Sequence, residues 1–97
     1  MNYLFFFFIL FTALSRSYAA EPVPSASATC IGCHGPAGIS MNPLWPNLAG
    51  QKSEYLLKQL IDFREGRRND PLMSAIAKTI AESDLKSLAH YFSTLHN

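Results

Sequence analysis

The sequence predicts an all-α domain, and three observations carry that reading. Two stretches in the second half repeat apolar residues at helical spacing, no run alternates long enough to build a sheet, and most of the prolines and glycines collect in one segment. At 97 residues the chain has room for one small domain.

The N-terminal end has a different character. From Leu4 to Leu14 every residue except Thr12 is apolar, and Ser15, Arg16, Ser17, Tyr18, Ala19 and Ala20 follow. This run falls short of the roughly 18 apolar residues that span a bilayer, yet it has the length of a secretory core with small residues before a cleavage point. The expected organisation is a signal peptide over 1–19 and a domain over 20–97. Only the α-amino group supplies positive charge ahead of the apolar run, so an uncleaved anchor is the alternative, and membrane association is expected only in that case. Removing 19 residues from 97 leaves 78, with seven basic and seven acidic residues. A neutral chain without a basic stripe has no footprint for nucleic acid. So small a core is marginal by itself, and a cross-link or cofactor is expected to support it.

Each element follows from local chemistry. A short helix should start near Ser25, because Pro22 and Pro24 are tolerated only before it or in its first turn. The residues from His34 to Gln51 include Pro36, Pro43 and Pro46 and read as one long irregular loop, a length that suggests function in a small domain. From Lys52 to Glu65, Leu56, Leu60 and Phe63 recur at i, i+4 and i+7, with Ser53 placed to cap and Gly66 to stop. From about Glu82 to Leu95, Leu85, Leu88, Ala89, Phe92 and Leu95 form a second stripe. Ala81 stands where a capping Ser or Thr is expected, and Asp84 offsets part of that loss.

The stabiliser is Cys30-Ile31-Gly32-Cys33-His34, the C-x-x-C-H pattern of covalent haem attachment. Thiols at i and i+3 of a helical turn lie on one face, where each can form a thioether with a haem vinyl group. The next residue then offers an imidazole to the iron. Three other readings compete. A disulfide across two residues constrains little of the unfolded chain, a redox dithiol needs a βαβ setting, and zinc needs a fourth ligand.

Together with Cys-x-x-Cys-His-Gly, the segments Pro46–Gln51, Tyr55–Leu60, Met73-Ser74, Asp84-Leu85, Leu88-Ala89 and Tyr91-Phe92 resemble a class I cytochrome c, nearest the small bacterial cytochromes of the c4 and c553 types. The resemblance implies three main helices and a long loop wrapped around one haem c, covalent through Cys30 and Cys33. It also implies a periplasmic location and a single-electron carrier between respiratory redox proteins, either a membrane cytochrome complex or a terminal oxidase. Candidate sixth ligands are Met41, Met73, His90 and His96, and Met73 falls where the family places its axial methionine. Met41 follows His34 too closely, His90 sits beside a packing stripe, and His96 is near a fraying end. By the same resemblance the Pro46 carbonyl orients His34, and Leu48 packs on its ring.

His/Met ligation raises the reduction potential and leaves no open position on iron, so electron transport is expected, with no small-molecule substrate and no catalysis. If Met73 dissociates, a haem enzyme or a gas- or peroxide-responsive domain is the alternative; an uncleaved N-terminus gives a membrane-anchored electron-entry subunit. Trp45, Tyr55, Arg67, Arg68 and Asn69 are candidates to meet the haem propionates, and Lys52, Lys58 and Arg64 to steer an acidic partner. The short, proline-rich segment before Cys30 predicts a weakly secured first helix.

Overall fold

The structure, a computed structural model, describes residue 15 and residues 23–96. Apart from Ser15, the expected signal segment lies outside the described residues. Four helices follow in order among those residues: α1 (Ser27–His34), α2 (Ser53–Glu65), α3 (Met73–Thr79) and α4 (Glu82–Thr94). The all-α expectation holds. α3 was not foreseen, because seven residues give too little periodicity to separate a helix from a turn.

The principal packing is α2 against α4 and α2 against α3. Leu56, Ile80, Leu85, Leu88, Ala89 and Phe92 form the buried core, so the two apolar stripes read from the sequence meet each other. α2 ends as expected at Gly66, whose φ of +83° places it in the left-handed region that favours glycine. Its start differs from expectation. Lys52 occupies the N-cap position and Ser53 is already helical, with no side-chain cap bond. α4 likewise begins behind Ala81 without a side-chain cap, and Glu82 and Asp84 lie in its first turn.

α1 is eight residues long and is not among the closely packed helix pairs, although Ala26, Cys30 and Ile31 reach the core cluster. The irregular segment between α1 and α2 packs against Phe92 of α4. Gly38 is buried against Ala49 and Phe92 with φ +71°, and its carbonyl accepts the N–H groups of Leu48 (2.8 Å) and Ala49 (3.0 Å). The N–H of Gly50 then donates to the Phe92 carbonyl of α4 at 3.2 Å. Backbone groups with no helical partner are thereby satisfied, and the segment is fixed to the helix that carries the core.

Candidate functional site

α1, the long loop, α2, α3 and α4 enclose a cavity of about 540 Å³ with mostly apolar walls, a size in the range of small-molecule and cofactor sites. Cys30, Cys33 and His34 reach it from the end of α1, and Met73 reaches it from the first residue of α3. The helix turn explains the first group: residues at i and i+3 share a face, and His34 closes the helix immediately after.

His34 is 6% exposed, and its Nδ1 donates to the Pro46 carbonyl at 2.8 Å. That bond fixes the tautomer and leaves Nε2 as the ring nitrogen with a lone pair. Pro46 is held in turn by the loop anchored through Gly38. Leu48 is half-buried and lines the same cavity. Cys30 and Cys33 are half-buried and no disulfide joins them, so both sulfurs are available to a ligand in the chamber. Two thiols, an imidazole with one committed nitrogen and a thioether converge on one apolar chamber. This donor set fits a covalently attached haem.

The other sulfur and imidazole candidates lie elsewhere. Met41 is fully exposed at 100%, His90 and His96 are exposed, and none of the three lines the cavity. Among the polar candidates, Trp45, Tyr55, Arg68 and Asn69 border the chamber. Arg67 does not serve there. Its Nε binds Asp62 at 2.9 Å and its guanidinium also pairs with Glu65.

Arg68 is oriented by Gln59 at 2.6 Å and by the ring of Phe63, whose centroid lies 4.5 Å from its Cζ. Asp62, nearly buried, also receives Lys58, and these hydrogen bonds, Lys58's first and Arg67's second, hold its carboxyl below the usual carboxylate range. Lys58 is exposed but paired with Asp62, and Arg64 is half-buried, whereas Lys52 is exposed and in none of the salt bridges seen among the described residues.

Sequence reasoning missed several wall residues. Gln59 lies on the same face of α2 as Leu56, Leu60 and Phe63, and that stripe lines the chamber as well as the core. The signal was present in the spacing, and only the polar member was passed over. Ile76 and Ile80 come with α3 and had no signal once that helix was missed. The chamber's rim is apolar and exposed at Leu44 (85%) and Leu72 (57%), and residues 35–51 contain no charged side chain.

Comparison with known proteins agrees with this geometry. The family model for cytochrome c matches residues 24–96. Cytochrome c4 of Thiocapsa roseopersicina is 44% identical over 69 residues, covering 71% of this chain and 35% of that protein. A thiosulfate dehydrogenase electron acceptor of Stutzerimonas stutzeri is 39% identical, covering 88% of this chain and 45% of that one. The crystal structure of reduced recombinant cytochrome c4 from Pseudomonas stutzeri superposes with a TM-score of 0.64 at 41% identity, covering 69% of this chain and 38% of that chain. The chain spans less than half the length of each of these three relatives. No described helix is long and apolar enough to cross a membrane.

Proposed function

The chain belongs to the cytochrome c family and carries one covalent c-type haem on Cys30 and Cys33, and from that premise we propose that it is an exported single-electron carrier with His34 and Met73 as axial ligands. The haem supplies a reversible one-electron iron couple. His34 holds the iron through Nε2, and the Pro46 carbonyl fixes the plane of that imidazole. The Met73 thioether, a soft neutral donor, favours the reduced state and raises the potential over bis-imidazole ligation. Leu48, Leu56, Phe63 and Leu88 exclude water from the chamber. With both axial positions filled by the protein, no substrate needs to reach the metal. Leu44 and Leu72 give the rim an apolar contact for a redox partner, a membrane cytochrome complex or a terminal oxidase. The relatives named as electron acceptors of a dehydrogenase support a role as acceptor from another redox protein.

The observation that carries the proposal is the convergence of the C-x-x-C-H turn, with its oriented imidazole, and Met73 on one apolar cavity. The test is the optical spectrum of the protein recovered from the export pathway of a host competent in cytochrome maturation. The expected result is a six-coordinate spectrum in both oxidation states, a sulfur-to-iron band in the ferric form, and a pyridine adduct showing both vinyl groups saturated. A colourless product with two alkylatable thiols would overturn the proposal. Ready binding of CO by the ferrous protein at neutral pH would instead assign it to the ligand-binding haem proteins.

A further inference from the structure

Met73 is held by an arrangement that neither periodicity nor turn chemistry revealed. Leu72 N–H and Met73 N–H both donate to Asp70 Oδ1 at 2.9 Å. Asp70 N–H donates to Ser74 Oγ at 3.0 Å, and Ser74 N–H donates back to the Asp70 carbonyl at 3.0 Å. Pro71, between them, has no N–H to satisfy. Every backbone donor from Asp70 to Ser74 is therefore accounted for by Asp70 and Ser74 alone. The carboxylate and the hydroxyl act on each other's backbones as the two members of a capping box do, one on either side of Met73.

The approach to this box is also tied. Arg68 N–H donates to the Asp62 carbonyl at 3.1 Å, and the Arg67 side chain binds the Asp62 carboxylate. The segment that carries the sulfur is thus clamped to α2 at one end and locked by Asp70 at the other.

We propose that Asp70, with Ser74, is a positioning residue for the sixth ligand: it fixes the Met73 backbone so that the thioether stays on the iron. This rests on the assignment of Met73 as that ligand. Asp70 touches neither iron nor sulfur in this scheme. Its effect is on the balance between a closed state with the box formed and an open state in which the first turn of α3 unwinds and the sulfur departs. A side-chain cap is worth about 1 kcal/mol. At 1.4 kcal/mol per tenfold, its loss raises the open population about five-fold.

The experiment uses the full haem protein and reads the ferric sulfur-to-iron band and the apparent affinity for added imidazole, which competes with Met73 for the iron. Asp70→Ala is expected to bind imidazole about five-fold more tightly and to weaken the band. Asp70→Asn, an equally good cap, is expected to restore parental values. Ser74→Ala is expected to tighten imidazole binding by a smaller factor, and it carries the test alone should Asp70→Ala fail to fold. Parental imidazole affinity in Asp70→Ala, or in Ser74→Ala where that variant carries the test, overturns the inference and leaves the ligand assignment standing if Met73→Ala opens the iron. An unchanged band and affinity in Met73→Ala overturns the assignment itself.

Discussion

Replacing Gly38 by alanine tests whether the loop, rather than α1, supports the cavity wall. With φ at +71°, the position lies where an L-residue is disfavoured by about 1–2 kcal/mol. A Cβ placed there would meet Ala49 N at 3.0 Å, and Ala49 Cβ and Phe92 Cδ1 at 3.2 Å each. Phe92 is 3% exposed and Ala49 is 1% exposed, so neither has free space to retreat into. Overfilling such a site costs about 1–3 kcal/mol, and the reduced freedom of the unfolded chain returns about 0.4–1 kcal/mol. The expected net loss is about 3 kcal/mol, a fall of at least 12 °C or so in melting temperature for a domain of this size. Urea unfolding of the haem protein, followed by far-UV circular dichroism and by Soret absorbance, reads the loss as a lower midpoint with unchanged slope. Gly32→Ala is the matched control, because that helical glycine has no heavy atom within 4 Å of an added Cβ and no positive φ. Gly38→Ala within about 0.5 kcal/mol of the parent, the scatter of ordinary surface substitutions, would refute the reasoning.

Other expectations follow from the helix ends, the buried carboxylate and the rim. Ala81→Ser supplies the missing N-cap of α4 and is expected to stabilise the fold by about 1 kcal/mol in the same urea assay. Asp62 has a folded pKa below its unfolded value. Its contribution is therefore complete above about pH 3.9, the ordinary value for aspartate, and is lost as pH falls further through the folded value. Urea midpoints measured from pH 7 downward should show that loss in the parent and a shallower one in Asp62→Asn. Because residues 20–97 hold seven basic and seven acidic side chains and residues 35–51 are uncharged, electron self-exchange between two copies, read from NMR line broadening, should vary by less than about two-fold between 0.01 and 0.15 M salt. A steep salt dependence would place charged groups at the contact.

The parts of the fold that were legible are those with a period or a punctuation mark. Leu56, Leu60 and Phe63 declared α2, Gly66 ended it, and Leu85 through Phe92 declared α4. α3 was not legible, because its seven residues sit behind Asn69-Asp70-Pro71, which reads as a turn; the same Asp70 that marks the turn accepts the N–H of Met73, the first residue of the helix. The Pro46 partner of His34 was legible only through resemblance, since no local rule connects residues twelve apart across an irregular loop. Arg67 and Arg68 look equivalent in sequence. Asp62 takes one and Phe63 with Gln59 takes the other, a division that depends on where α2 places its side chains. Ser53 was misread as a cap because Ser, Thr and Asp are favoured there, whereas Lys52 adopts the extended cap conformation and leaves the first turn without a side-chain acceptor.

The bond from Gly50 N–H to the Phe92 carbonyl changes how the irregular segment should breathe. Coil of this kind usually trades its amide protons with solvent through small local openings. Here the exposed Gly50 gives its proton to a carbonyl in the last turn of α4, so its release reports whether the loop still holds to that end of the helix. In deuterium exchange it should trade more slowly than unbonded amides of the same segment and faster than the buried amides of Leu88 and Ala89.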